Sequence, residues 1–249
     1  MIRSALFDYF TTLSILLVLV IPKVPVHAQV SYPYQLDGTK EGIIFGTSIS
    51  LLTFAELKYK KIQPLSFEQL SQLNRNDVWA IDRPATFNRS LMAKKWSDGL
   101  LYSSLAPPLS VVFSGPKDGI GRSSVLLLET LLVNTALTDF TKVLVRRKRP
   151  YLYNEFTEAK KKLSKKSRMS FFSGHTSTVT AMYFLSAKLF EDYNPDSRYR
   201  STVWTTAILI PATTGLLRVK AGKHYFTDVL TGFLVGGAIG YLIPEIHKL

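Results

Sequence analysis

Residues 217–228 read LRVKAGKHYFTD and lead directly into the apolar run VLTGFLVGGAIGYLI at residues 229–243. The apolar run is long enough for a helix and lacks the strict alternation of a half-buried strand. Three of its glycines are spaced four apart on one helix face, where they would let a neighbouring backbone approach closely: Gly232, Gly236 and Gly240. We therefore predict a helix that packs through its glycine face and carries a polar segment at its start.

Five more apolar segments precede this one and are separated by polar connections. They lie near residues 42–57, 100–113, 123–140, 176–190 and 202–217. None alternates like a strand, so the sequence indicates a helical protein. Pro107 and Pro108 interrupt the second segment and should kink or end it. The segments could be core helices of a soluble bundle or short, polar-lined membrane spans, and their composition favours membrane association.

The N-terminus and the charge indicate where the chain acts. Residues 1–28 are predicted to be an export signal, with an uncleaved N-terminal anchor as the alternative. The formal net charge is +13, and basic residues cluster at 142–149 and 160–168, a field that attracts anionic substrates or lipid headgroups. No nucleic-acid-binding module accompanies the charge, so nucleic acid is not an expected partner. The sequence has no cysteine, which excludes disulfides, thiolate metal sites and a cysteine nucleophile.

Two polar islands carry groups suited to a phosphate-like anion. Lys142 and Arg149 are seven residues apart, so in a helix ended by Pro150 they would project from the same face. Arginine binds phosphate oxygens in a bidentate fork, and lysine adds a point charge. The second island, Ser173-Gly174-His175, precedes the helical run from residue 176. Backbone N–H groups at a helix start bind anions, and the serine hydroxyl adds a donor. His175 could protonate a departing oxygen.

The third island supplies a nucleophile. His224 offers a neutral nitrogen that could attack phosphorus. Asp228 lies four residues later, so in a helix its carboxylate would reach the other ring nitrogen and fix the tautomer. Arg218 supplies a second guanidinium for the oxygens of the transition state. The combination predicts phosphoryl transfer to a histidine without a metal.

Together the three islands resemble the type 2 phosphatidic acid phosphatase superfamily, which also contains class A acid phosphatases and vanadium haloperoxidases. The family signature is K-x6-R-P, P-S-G-H and S-R-x5-H-x3-D. This chain has KVLVRRKRP at 142–150, FSGH at 172–175 and LRVKAGKHYFTD at 217–228, and the resemblance covers about residues 97–244. Phe172 stands where the family usually has proline, and Leu217 where it usually has serine.

The resemblance implies an all-α bundle of about six core helices, formed by residues 97–249. Residues 29–96 would then be an N-terminal helix and a connecting loop. It also implies roles for the site residues. His224 would be the nucleophile, His175 the general acid and Asp228 the partner of His224. The phosphate-binding groups would be Lys142, Arg149, Ser173, Gly174 and Arg218, and neither a metal nor a cofactor is expected.

The implied activity is a metal-independent phosphatase acting on a phosphorylated lipid, or on a small phosphate ester, in the cell envelope. Alternatives are a soluble periplasmic acid phosphatase, a vanadate-dependent haloperoxidase and a non-catalytic anion-binding membrane protein. The side of the membrane stays open. Basic loops favour a cytoplasmic site by the positive-inside rule, whereas an export signal favours the opposite face.

Overall fold

The computed structural model describes residues 32–249, so the predicted export signal at 1–28 lies outside the described residues. The described part is helical, with one isolated bridge between Tyr34 and Lys248 and no named strand. This confirms the predicted all-α class. The helices are α1 Gly38–Lys60, α2 Phe67–Ser71, α3 Leu91–Ser103, α4 Ala106–Ser114, α5 Ile120–Val145, α6 Ala159–Lys162, α7 Gly174–Tyr193, α8 Arg200–Lys220 and α9 Phe226–Ile246.

Helix α7 is the centre of the bundle. It packs against α9, α8, α5, α4 and α3, while α1 packs on the outer side of α5. Its middle is buried because apolar side chains occupy every face, and the main core forms around Leu126, Met182 and Leu185. A helix that is apolar on all sides is typical of a central core position.

The predicted glycine face of α9 lies against α7. A Cβ at Gly232 would lie 2.7 Å from the carbonyl oxygen of Ser173, and one at Gly236 would collide with the carbonyl of Ser177. Glycine therefore allows the two backbones to touch. This contact brings the start of α9 beside the start of α7.

The proline pair acts as predicted. Helix α3 ends at Ser103, and α4 begins at Ala106 with Pro107 in its first turn. Proline is tolerated there because the first N–H groups of a helix have no intrahelical partner.

The prediction that Lys142 and Arg149 share one helix face is wrong. Helix α5 ends at Val145 because Arg146 adopts a left-handed conformation with φ of 50°. Arg149 is extended, and Pro150 begins a short 3-10 turn instead of ending α5. The chain therefore leaves the helix before it reaches Arg149.

The outer surface carries many exposed apolar side chains. They include Ile43, Phe54, Phe113, Leu128, Ile208, Leu209, Leu216, Leu230, Leu234 and Leu242. In the described part of the chain, Lys117–Tyr153 and Phe226–Ile246 are long and apolar enough to cross a membrane. Large exposed apolar surfaces mark contact with lipid or protein. Membrane association is therefore plausible.

Candidate active site

All eight predicted site residues lie at one end of the bundle. Helix ends and the turns after them supply the side chains. These are Lys142 at the end of α5, Arg149 in the following turn, Ser173, Gly174 and His175 at the start of α7, Arg218 at the end of α8, His224 before α9, and Asp228 in its first turn. The start of α7 is in the centre of the bundle, so the surrounding helix ends converge on it.

The ring of His224 is held in a defined tautomer. Its side chain is 2% exposed, Nε2 lies 3.1 Å from Arg149 Nη1, and Nδ1 lies 3.5 Å from Asp228 Oδ2. A guanidinium only donates hydrogen bonds, so Nε2 must accept and the ring proton is on Nδ1. Burial, and next the Arg149 charge, hold the pKa of His224 well below its usual range. The ring is therefore neutral, with a lone pair on Nε2.

Asp228 approaches His224 from α9, which begins after His224, so the pair does not share one helix as the spacing suggested. Asp228 is fully buried. Its Oδ2 accepts hydrogen bonds from Ser170 Oγ at 2.5 Å and from the Tyr225 N–H at 3.0 Å. Arg147 Nη1 donates to Oδ1 at 2.5 Å. With both oxygens bonded, the carboxylate is fixed in position.

Arg147 and Asp82 extend this network and were not predicted from the sequence. The Nη2 of Arg147 donates to Asp82 Oδ2 at 2.6 Å, so one guanidinium bridges two buried carboxylates. Asp82 in turn accepts the N–H and the hydroxyl of Thr227, at 2.9 Å and 2.6 Å. Asp82 lies far from the signature in the sequence. Only the presence of five basic residues within 142–149 indicated that Arg147 could take part.

The guanidinium of Arg149 is oriented by backbone carbonyls. Its Nε donates to Lys166 at 3.0 Å, its Nη2 to Met169 at 2.8 Å, and its Nη1 to Lys223 at 2.9 Å. Carbonyl oxygens are uncharged, so the full positive charge of Arg149 remains available to an anion. The polar segment between the first two islands therefore folds against the site and orients one of its cations.

Lys142 adds a second cation beside the start of α7. Its nearest carboxylate, Asp139, is 3.7 Å away. A Cβ at Gly174 would lie 2.9 Å from Lys142 Nζ, so glycine leaves room for the ammonium beside the backbone. Ser173 caps α7, where its Oγ accepts the N–H of Thr176 at 3.4 Å. The backbone N–H of Ser173 donates to the carbonyl of Asp228 at 3.0 Å and so joins α7 to α9.

Asp98 connects the remaining two predicted residues. Its Oδ1 lies 2.9 Å from His175 Nε2 and 2.9 Å from Arg218 Nη1. A carboxylate only accepts, so Nε2 of His175 carries a proton. Asp98 was missed as a site residue, although it is the single acidic residue in the sequence of α3, LMAKKWSDGLLYS. An isolated acid among basic and apolar residues is a signal that could have identified it.

A basic cavity of about 110 Å³ opens beside the site. Its charged lining is Arg89, Lys94, Glu158, Lys161 and Lys223. Burial, and next the neighbouring Lys161, lower the pKa of Lys223 to about 7. None of the eight predicted site residues lines this cavity or a larger one of about 690 Å³. Lys223 directly precedes His224, and its carbonyl accepts a hydrogen bond from Arg149 Nη1, so the smaller, basic cavity adjoins the site where an anion would approach.

A helical bundle whose site surrounds a neutral, buried imidazole with cations has the charge arrangement that an oxyanion-binding site requires. The family model of the PAP2 superfamily matches residues 123–248, just over half of the 249 residues, and the chain belongs to this superfamily. This confirms the resemblance drawn from the motifs. In solved structures, the fold is similar to a transmembrane PAP2-type phosphatidylglycerolphosphate phosphatase from Bacillus subtilis, with a TM-score of 0.51 and 22% identity over 80% of this chain and 94% of that one.

Two curated relatives are named as phosphatases. A lipid A 4'-phosphatase of Porphyromonas gingivalis is 22% identical over 160 residues, which is 63% of this chain and 64% of the relative. Phosphatidylglycerophosphatase B of Bacillus subtilis is 33% identical over 83 residues, 33% of this chain and 41% of the relative. The chain thus spans less than two thirds of the length of either relative.

Proposed function

We propose that this chain is a metal-independent phosphatase that hydrolyses a phosphomonoester or diphosphate of a lipid through a phospho-histidine at His224. The observation that carries the proposal is the tautomer of His224. Its unprotonated Nε2 lies 3.1 Å from Arg149, while its Nδ1 faces Asp228. A neutral nitrogen directed at the group that would bind phosphate is placed for attack on phosphorus.

The cations would bind the phosphoryl group. Arg149 and Arg218 would hold its oxygens in charge-assisted hydrogen bonds, with Lys142 adding a point charge. The Ser173 hydroxyl and the Gly174 amide at the start of α7 would complete the cradle. These donors are positioned before substrate arrives, as electrostatic stabilisation of a transition state requires.

The reaction would proceed in two steps. His224 Nε2 attacks phosphorus, the N–P bond forms, and the P–O bond to the leaving group breaks. His175 would act as the imidazolium: Asp98 keeps the Nε2 proton, and the Nδ1 proton passes to the departing oxygen, which leaves the ring neutral. Asp228 stabilises the positive charge that develops on His224. A water molecule then attacks phosphorus, His175 takes a proton from it, and phosphate leaves with the N–P electrons returned to Nε2.

A lipid is the substrate class that the surface favours. The exposed apolar side chains on α1, α4, α5, α8 and α9 suit contact with a bilayer. Both curated relatives have names that specify lipid phosphates. We place the protein at a membrane of the cell envelope, with the predicted export signal as the reason for assigning that compartment.

The test is phosphate release by the detergent-purified chain from phosphatidic acid, phosphatidylglycerol phosphate, lipid A, a prenyl diphosphate and an aryl phosphate. We expect release from at least one lipid substrate with EDTA present, at a temperature well below unfolding. His224→Ala should abolish it, whereas Lys165→Ala, outside the signature, should retain turnover. Quenched reactions with labelled substrate should yield an acid-labile phosphoprotein that is absent from His224→Ala. No release from any phosphate ester would refute the proposal.

A further inference from the structure

A second cluster of ionisable side chains lies away from the active site. It consists of Glu41 near the start of α1, Glu129 within α5 and His247 after the end of α9. One ligand atom from each lies within 4.8 Å of the other two. Glu129 precedes Lys142 by thirteen residues, so along α5 the cluster is about 20 Å from the active site. It brings together three segments that are remote in sequence.

The hydrogen bonds of His247 determine which ring nitrogen faces the carboxylates. Nδ1 lies 2.7 Å from the carbonyl oxygen of Ile243, which can only accept, so Nδ1 carries a proton. Nε2 lies 2.9 Å from Glu41 Oε1 and 3.4 Å from Glu129 Oε2. In a neutral ring, Nε2 presents a lone pair to two carboxylate oxygens. That arrangement is repulsive unless a positive charge lies among the three atoms.

Glu129 supplies an independent indication of a missing positive charge. Its side chain is 0% exposed, and neither carboxylate oxygen has a hydrogen-bond partner. The nearby Lys40 ammonium donates to the carbonyl of Ile246 at 2.6 Å. A buried carboxylate without hydrogen-bond partners is strongly unfavourable, and such groups are usually paired with a charge or coordinate a metal.

We propose that Glu41, Glu129 and His247 bind a divalent transition-metal ion, with Zn²⁺ as the best match. One imidazole nitrogen and two carboxylate oxygens are a ligand set that Zn²⁺ accepts, with water in the fourth position. Ligand atoms about 2.0–2.2 Å from a tetrahedral ion lie roughly 3.3–3.6 Å apart. The two separations from His247 Nε2, 2.9 Å and 3.4 Å, need only small adjustments to reach that spacing.

The groups behind the ligands have the arrangement expected of a metal site. A metal-binding histidine usually donates its other N–H to a carbonyl or carboxylate, as His247 does to Ile243. The second oxygen of Glu41 accepts the backbone N–H of Asp37 at 2.9 Å, which orients the carboxylate. Metal binding would clamp the start of α1 and the C-terminal residues to α5. The ion is therefore structural and takes no part in phosphoryl transfer.

The experiment measures metal content and thermal unfolding of the full chain in detergent. After incubation with Zn²⁺ and removal of the excess, we expect a single bound Zn²⁺ per chain by elemental analysis. Zn²⁺ at a hundredfold excess over Kd should raise the Tm of the EDTA-treated protein by about 5–10 °C. Co²⁺ should give the visible absorption of a tetrahedral site. Glu129→Gln and His247→Gln should lose all three responses.

Glu56→Gln is the matched control, because Glu56 shares α1 with Glu41 but is exposed and, within residues 32–249, forms its ion pair with Lys60 at 3.6 Å. It should retain the metal and the Tm response. Wild-type protein that binds no Zn²⁺ or Co²⁺ would overturn the proposal even if the variants failed to fold. So would a Tm that does not respond to Zn²⁺. Neither result depends on phosphatase activity.

Discussion

At the scale of single residues, the two active-site histidines would have different roles in phosphoryl transfer. His224 would attack phosphorus with every substrate, whereas His175 would only protonate the leaving oxygen. We expect His175→Ala to lower turnover of an alkyl or lipid phosphate by about 10²–10⁴-fold. The loss should be much smaller with an aryl phosphate, because its leaving group needs no proton. Equal losses for both substrates, measured as kcat/KM, would contradict the role of His175.

Arg147 is predicted to act through the position of Asp228. Its two nitrogens bridge Asp82 and Asp228, and a lysine cannot make both bonds in this geometry. We expect Arg147→Lys to lower the free energy of unfolding by about 1.5–3 kcal/mol, the typical contribution of a hydrogen bond to a charged group. Turnover should also fall while KM changes little. Arg146→Lys is the control, because the Arg146 side chain is exposed and donates to a neighbouring backbone carbonyl, that of Val143, instead of to a carboxylate. Equal losses of stability and turnover in the two variants would contradict this role of Arg147.

The lowered pKa of Lys223 predicts that anion binding depends on pH. Its pKa is lowered to about 7, and a bound phosphate dianion would favour the ammonium and raise that pKa again. Above pH 7 binding must therefore take up a proton, so affinity should fall as pH rises, by at most about tenfold per unit. Competitive inhibition by inorganic phosphate would measure this. Lys223→Gln should bind more weakly at pH 6 and lose this part of the slope between pH 7 and 9, whereas Lys165→Gln should keep it.

The residues that could be predicted from the sequence are those of the signature, since their chemical types and order are informative without coordinates. Asp82, Asp98 and Arg147 were missed for a physical reason. Each acts through a long-range hydrogen bond, such as that between His175 and Asp98, seventy-seven positions apart. The local pattern can mark a candidate acid, as it does for Asp98 in α3, but it does not specify which distant donor that acid will bind. The partner depends on how the helices pack.

At the scale of elements, the contact between α7 and α9 should be sensitive to a single methyl group. The Cβ of Gly236→Ala would collide with the carbonyl of Ser177, which belongs to the backbone and cannot move aside. We expect a loss of about 1–3 kcal/mol in the free energy of unfolding and a lower Tm. Turnover should fall as well, because α7 carries His175 and α9 carries Asp228.

Gly121→Ala is the control for the contact between α7 and α9. Gly121 lies in the first turn of α5, and a Cβ added there would have open space around it, with no atom beyond its own helix backbone within 4 Å. Alanine favours a helix over glycine by about 0.5–1 kcal/mol, so stability should stay level or rise. A Gly236→Ala protein as stable as Gly121→Ala would show that the two helices do not touch as described.

Helix positions were easier to predict than helix ends. The apolar runs gave the locations of α1, α5, α7, α8 and α9 because a core helix needs continuous apolar surface. The end of α5 was misplaced because Arg146 adopts a left-handed backbone, which arginine does not signal by its chemistry. That early end moves Arg149 off the helix and into reach of the carbonyls that orient it. A local departure from helical geometry thus shapes the cation site.

At the scale of the whole molecule, the apolar exterior predicts integral association with a membrane. Leu230 and Leu234 are four residues apart on α9 and are 47% and 62% exposed, while the charged residues of that helix, Asp228 and Glu245, lie near its ends. Full burial of a leucine contributes about 1.5–3 kcal/mol, so several such side chains would hold the bundle in lipid. We expect the protein to remain in membranes washed with high salt or alkaline carbonate and to dissolve in non-ionic detergent.

A shortened variant that begins at Tyr32 would test the membrane binding of the bundle without the predicted N-terminal signal. If the apolar exterior contacts lipid, this shortened chain should still float with liposomes at high salt, because screening removes only the contribution of its basic residues. Replacing Leu230 and Leu234 with glutamine should weaken flotation without lowering the Tm in detergent, since neither side chain is buried in the core. A shortened chain that stays monomeric and active in buffer without detergent would instead support the soluble acid phosphatase alternative. The exposed leucines would then require a protein partner to explain them.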